Sequence, residues 1–249
     1  MLPEHVSTAE LALPGGESRP GVPIGLAESD LAPVHLELTA ADPHFLVLGD
    51  SGAGKSAFLR TWMTGLASCR SAWEVRFIVI DYRRTLLGVV PPEPLGAYAG
   101  DANAAAVYVE HVAAKLTERL PPANVTAQQL RTLDWWEGPD FYVVVDDYDL
   151  VSNGRQSPLA PLAAFLPQVR ELGFHVVLAR RIAGLTRVGS TDPLLSRVQE
   201  MGADGLIMSG DPREGVVLGT QRAMPRPPGR GLLVRRQSSP TLIQVAHDE

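Results

Sequence analysis

Apolar residues fall along this chain in short blocks separated by polar connectors rich in glycine and proline. Phe45–Leu48, Val75–Ile80, Phe141–Val145, Phe174–Ala179 and Gly205–Met208 are near-continuous apolar runs of strand length. Runs of that kind read as strands covered on both faces, as in a parallel sheet. Helical spacing appears between them. Residues 102–119 place Ala104, Val107, Val112 and Leu116 near one face, with Asp101 as N-cap and Pro121-Pro122 as a stop. Helices are also expected from Ala57 to about Cys69, over 158–172 and from Pro193 to Gln199. A shorter one starts at Thr126 and carries Leu130 and Leu133 toward Trp135-Trp136. Strands alternating with helices predict an α/β fold around a mostly parallel sheet. Val34–Leu38 alternates like a short edge strand. Gly231–Val234 and Leu242–Val245, joined by a polar turn, predict a C-terminal antiparallel pair.

Composition refines this picture in a few places. Residues 1–33 are rich in proline and glycine and read as an extended arm. It is either a loose linker or, through Val22–Leu26, docked on a domain spanning 34–249. The apolar content of 45% over 249 residues is that of a chain with a real core. The single cysteine, Cys69, allows neither an internal disulfide nor a cysteine-based metal site, which agrees with a reducing, cytoplasmic setting. No apolar run approaches the roughly 18–20 residues that span a bilayer. The first residues lack the pattern of a secretory signal. This segment is therefore expected not to insert into a membrane, although a longer parent chain could. The net charge of −6 argues against wrapping nucleic acid.

The chemistry concentrates where the first apolar run ends. Gly49-Asp50-Ser51-Gly52-Ala53-Gly54-Lys55-Ser56 fits G-x-x-x-x-G-K-[ST] at all four fixed positions, and Ala57 opens the helix that follows. A phosphate needs several N–H donors converging on it. A glycine-rich loop can turn its backbone inward to supply them, and the helix N-terminus adds its own free N–H groups. Lys55 adds a mobile charge, and the Ser56 hydroxyl suits a Mg²⁺ ion. Residues Gly49 to Ala57 are thus the expected binding site for ATP or another nucleoside triphosphate.

The expected partner of such a loop is an apolar strand ending in carboxylates. Phe141–Val145 followed by Asp146-Asp147 supplies it. Asp146 is the candidate Mg²⁺ residue, acting through water, and Asp147 is the candidate catalytic base. Glutamate, one methylene longer, is the usual base. A misplacement of about 1 Å can cost on the order of 10²-fold in rate, so Asp147 predicts weak hydrolysis. Phe174–Ala179 should lie beside the loop's strand, with Arg180 and Arg181 where a polar phosphate sensor normally sits. These arginines either contact nucleotide, reach a neighbouring domain or face solvent.

In this order the segments resemble the FtsK/SpoIIIE-like P-loop ATPases, and more closely the last ATPase domain of the EccC family of type VII (ESX) secretion. The likeness is carried by VPIGLAESDLAPVHLEL, DPHFLVLGDSGAGKS, RFIVIDYRRTLLGVVP and LPPANVTAQQLRTLDWWEGPDFYVVVDDYD. It continues in GFHVVLARR, LIMSGDPREG and PPGRGLLV, and covers roughly residues 20–247. The resemblance implies a RecA-like core in a membrane-anchored assembly with three such domains in series. It implies partners in the other ATPase domains and in secreted WXG-type helical hairpins, and ATP binding with little turnover. Departures at Asp147 and at Arg180-Arg181, where glutamate and a Thr-Gln pair are usual, weaken the case for hydrolysis. An active translocation motor is the alternative, and an FtsK-like DNA translocase a more distant one.

Further candidates are less defined. Trp135-Trp136 and Leu86–Val90 are either a substrate-docking surface or core. His5, His35, His44, His111, His175 and His247 show no paired metal spacing, and His175 reads as a core histidine. Arg180, Arg181 and Arg187, and Arg226, Arg230, Arg235 and Arg236, are either basic patches or solvated faces.

Overall fold

The computed structural model describes residues 2–11, 21–38, 41–153 and 156–248. The blocks of apolar sequence become the centre of a ten-stranded sheet. In chain order the strands are β1 (Val22–Ala27), β2 (Pro33–Leu36), β3 (His44–Leu48), β4 (Val75–Ile80), β5 (Leu95–Ala99), β6 (Asp140–Val145), β7 (Phe174–Arg180), β8 (Asp204–Ile207), β11 (Arg230–Arg235) and β12 (Ser238–Val245). A separate hairpin is made of β9 (Val216–Leu218) and β10 (Gln221–Arg222). The order across the large sheet is β2-β1-β12-β11-β8-β3-β7-β6-β4-β5. From β8 to β5 the pairs are parallel, and from β8 outward through β11, β12, β1 and β2 they are antiparallel. β3 and β7 are buried along their whole length, as the uninterrupted apolar runs require.

Two apolar layers sandwich the sheet. On one face α1 (Lys55–Cys69) lays Phe58, Leu59, Trp62 and Met63 against Phe45, Val47, Phe77 and Val144. On the other, α2 (Ala102–Glu118) and the elements between β6 and β8 cover Leu46, Leu48, Val143 and Leu178. Asp101 caps α2 by accepting from the N–H groups of Asn103 and Ala104. The buried stripe of α2 is Ala105, Val109, Val112 and Leu116, which keeps the expected Val112 and Leu116 but has Ala105 and Val109 in place of the expected Ala104 and Val107. Val107 is 62% exposed.

Several elements depart from expectation for local reasons. The expected helix over 158–172 is a 3-10 helix, Ala160–Gln168, followed by one turn, α5 (Val169–Leu172). Pro161 and Pro167 cannot donate to an α-helical ladder there. The helix after Thr126 shrinks to α3 (Gln129–Thr132), stopped by Leu133 in the left-handed region. Strand β5, which lacks a strong apolar run, forms because β4 offers it a parallel edge. The segment expected to dock as the end of an arm is itself strand β1, paired with both β12 and β2. The expected 33/34 boundary therefore passes through the β1–β2 hairpin. Gly25 makes this pairing possible: a Cβ there would stand 2.1 Å from the Gln244 carbonyl oxygen. The described N-terminal residues pack as well, with Leu2, Val6 and Leu11 buried and the His247 amide bonded to the Val6 carbonyl. The rest of the expected arm, residues 12–20, lies outside the described residues.

Candidate functional site

The carboxyl ends of β3, β4, β6 and β7 converge where open parallel sheets hold ligands. The loop after β3 is pinned at its start by backbone hydrogen bonds. Gly49 N–H donates to Arg180 O at 3.2 Å and Asp50 N–H to Ser209 O at 2.8 Å. Gly52 and Gly54 take φ of 76° and 107°, values glycine adopts without strain, and a Cβ at Gly54 would press on Gly229 N and Met208 Cε at 3.1 Å. The turn that results leaves the N–H groups of Ser51, Gly52, Gly54, Lys55 and Ser56 without a protein acceptor among the described residues. Lys55, at the start of α1, is buried and folds its Nζ over the loop to Asp50 O at 3.2 Å. Convergent amides, a helix N-terminus and a buried ammonium form a cradle for a polyphosphate.

The cation-binding half sits beside it. The Ser56 hydroxyl donates to Asp146 Oδ2 at 2.6 Å, joining α1 to the tip of β6. Two hard oxygen groups held together in this way fit a divalent cation such as Mg²⁺. Asp146 also accepts from Thr85 Oγ1 at 2.8 Å and from the Asp147 amide at 2.9 Å. Asp147 stands in the left-handed region, φ 44°, at the start of α4 (Tyr148–Val151). Its carboxylate pairs with Arg83 Nε at 2.9 Å. Burial, reinforced by Asp146, pushes the Asp147 carboxyl above its usual range, against the pull of Arg83 and Lys55.

Arg83 and Thr85, for which the sequence alone predicts no role, belong to the loop following β4. It is anchored by Asp81, buried at the end of β4. Asp81 accepts from the Leu86 amide at 2.7 Å, the Tyr98 hydroxyl at 2.8 Å and the Arg83 amide at 3.1 Å. The signal available in sequence was a strand ending in Asp with Arg and Thr two and four residues on. Its meaning depended on which strand lay beside β6. A second element missed in sequence is the segment before β11, where Gly229 N–H donates to Ala53 O at 2.9 Å.

The two arginines after Ala179 part company. Register along β7 puts the Arg180 side chain on the face of Leu178, away from α1. It is buried, its Nε and Nη1 have no hydrogen-bond partner among the described residues, and burial lowers its pKa despite Asp149, Tyr148 and Asp192 nearby. Arg181 pairs with Asp149 at 2.9 Å. Neither side chain hydrogen-bonds to the loop over 49–56.

The remaining candidates resolve mostly into structure. Trp135 Nε1 donates to Arg119 O at 2.8 Å and Trp136 Nε1 to Glu171 O at 2.7 Å. The Arg119 guanidinium lies 4.0 Å from the Trp136 ring centre. Both tryptophans thus fasten the 120–140 connection. Leu86 and Val90 are core, whereas Leu87 is exposed. His175 is buried, stacked on Tyr142 and bonded to Pro43 O. Arg230 reaches the carbonyls of Leu2 and Pro3, and Arg235 that of His35. A groove of about 690 Å³ opens between β5 and α2, walled by Ile78, Ala97, Val107, Tyr108, Val112 and Phe141. No group of His, Cys, Asp and Glu that could hold a metal, and no helix long and apolar enough to cross a membrane, occurs among the described residues.

Comparison with known proteins places this geometry. A family model described as the FtsK/SpoIIIE family matches residues 18–182. The chain is 41% identical over its full length to the ESX secretion system protein EccC of Thermomonospora curvata, spanning 19% of that protein. It is 39% identical over 99% of its length to the ESX-4 secretion system protein EccC4 of Mycobacterium tuberculosis, spanning 20%. It superposes at a TM-score of 0.93 and 41% identity on the structure of the cytoplasmic domain of the T. curvata type VII secretion ATPase EccC, covering 28% of that chain. A second structure, T. curvata EccC ATPases 2 and 3 in complex with a signal sequence peptide, matches at 0.93 and 40%, with 44% of that chain covered. The chain belongs to the FtsK/SpoIIIE family, as an ATPase domain of the EccC kind found in type VII secretion.

Proposed function

We propose that this domain binds ATP with Mg²⁺, hydrolyses it weakly, and takes part in recognising a secreted substrate of the WXG helical-hairpin type. The observation that carries the reading is the contrast within one site. The loop over 49–56 offers a set of free amides, and Ser56 and Asp146 are already in register. Asp147, the candidate base, is instead ion-paired to Arg83. Ser56 and Asp146 would hold the cation, whose charge offsets that of the phosphates when bound. Lys55 and the loop amides bind and orient the phosphate chain. A carboxylate bonded to a guanidinium is a weaker acceptor for a water proton, and aspartate starts one methylene short. Neither arginine after Ala179 supports phosphate sensing. Nucleotide in this reading is a ligand that closes the domain.

The recognition half rests on the likeness to a domain pair solved with a signal sequence peptide and on the groove between β5 and α2. Apolar walls flanked by the exposed Glu110, His111 and Lys115 suit one face of an amphipathic segment. The other ATPase domains of the same secretion machine, on the cytoplasmic side of a membrane-anchored complex, are the proposed neighbours. An active motor is the second reading, favoured by the raised pKa of Asp147, which makes a better base.

Calorimetric titration with ATP–Mg²⁺ beside a phosphate-release assay tests the first reading. Binding should be clear, should fall on the order of 100-fold in Lys55→Ala, and should come with slow turnover. Turnover at motor rates that Lys55→Ala abolishes would establish the motor instead.

A further inference from the structure

Two elements flank the tip of β6 at the mouth of the site, the end of β7 and the loop after β4. The end of β7 sends Arg180 to the opposite face and Arg181 to Asp149. The loop after β4 supplies two side chains: Arg83 on Asp147 and Thr85 on Asp146. Thr85 is itself fixed from both sides, because Arg60 of α1 donates through Nη2 to its carbonyl oxygen.

The hydroxyl of Thr85 carries one hydrogen and lies near two carboxylates, 2.8 Å from Asp146 Oδ2 and 3.4 Å from Asp81 Oδ1. The shorter contact takes it. Asp81 is already held by the amides of Arg83 and Leu86 and by the Tyr98 hydroxyl. Asp146 Oδ2 therefore accepts two hydroxyl hydrogens, from Ser56 and from Thr85. Having given its hydrogen to Asp146, the Ser56 oxygen keeps its lone pairs free for a cation. Thr85 fixes the rotation of the carboxylate that makes this possible.

We infer that Thr85, carried by the loop after β4, is the positioning residue of the cation-site carboxylate Asp146. Asp81 in turn anchors the loop that carries Thr85, accepting from the Arg83 and Leu86 amides and from the Tyr98 hydroxyl of edge strand β5. This anchoring makes cation binding depend on a tyrosine outside the site, two residues from Gly96 on the strand that walls the groove. The inference rests on the nucleotide-binding reading above.

The test is calorimetric titration of ATP with Mg²⁺ and with EDTA, on the wild type, Thr85→Val, Thr85→Ser and Tyr98→Phe, with thermal melting of each. The readout is the gain in ATP affinity that Mg²⁺ confers. Thr85→Val should lose about tenfold of that gain, the worth of one hydrogen bond to a charged acceptor. Its affinity in EDTA should change by less than about twofold, and Thr85→Ser should restore the gain. Tyr98→Phe should lose about threefold, one link further out. A folded Thr85→Val with the full Mg²⁺ gain overturns the inference, as does an equal loss with and without Mg²⁺. If Thr85→Val does not fold, Tyr98→Phe decides, and an unchanged gain there overturns it. A wild type that binds ATP with no Mg²⁺ gain sinks this inference alone, whereas one that binds no ATP sinks the nucleotide reading with it.

Discussion

At the scale of single residues, the site is defined by which hydrogen each carboxylate receives. Asp146 accepts hydroxyl hydrogens, and Asp147 faces a guanidinium. Asp147→Asn is therefore expected to change phosphate release by less than about twofold, against a loss on the order of 10²-fold or more had it served as base. His44 carries a different prediction. Burial, with His175 beside it, pulls its pKa from 6.5 to about 3, and its Nδ1 accepts from the Val176 amide. Between these values the unfolded chain binds a proton that the folded one refuses. Stability should thus fall as pH drops from 6.5 toward 3, by at most about 1.4 kcal/mol per pH unit from this group. His44→Asn, which keeps an acceptor but cannot titrate, should flatten that component of urea-unfolding stability between pH 7 and pH 5.

At the scale of elements, the strands were legible and the connections were not. The apolar runs at Phe45, Val75, Phe141 and Phe174 locate four parallel strands because full burial leaves no polar alternation to read. β1 and β5 carry weaker patterns and exist because a neighbouring edge needs a partner. Gly25→Ala should show this for β1. Its new Cβ collides with the Gln244 carbonyl, and a loss of about 1–3 kcal/mol in the urea transition is expected. The connection around Trp136 is held by a hydrogen bond to Glu171 and a cation–π contact with Arg119. Trp136→Ala should lower stability by about 2–3 kcal/mol while leaving ATP affinity as it was. Destruction of substrate binding without any loss of stability would instead make that tryptophan a docking residue.

At the scale of the molecule, one sheet joins a parallel half that carries the proposed nucleotide site to an antiparallel half that recruits both described chain ends. The net charge of −6 sets the expectation for long polyanions. Filter binding with duplex DNA at 0.1 M salt should give no retained complex. A steep fall of log affinity with log salt would revive the translocase reading. In the proposed reading, a segment docked in the groove along β5 and a nucleotide bound beside Asp146 would be linked through Tyr98 of β5 and the loop after β4 without sharing a contact.

By itself the sequence determined the loop over 49–56, the strand that feeds it and the carboxylate pair at 146–147. Phosphate chemistry requires those residue types within one short span, so local order alone reveals them. Only the tertiary structure decided what each member of the pair contacts. Thr85 and Asp146 are distant in sequence, and they meet because β4 pairs with β6 in parallel register. The same pleat decided the arginines. Side chains alternate across a strand, so the residue at the end of β7 faces away from α1, and no composition or spacing shows which face that is.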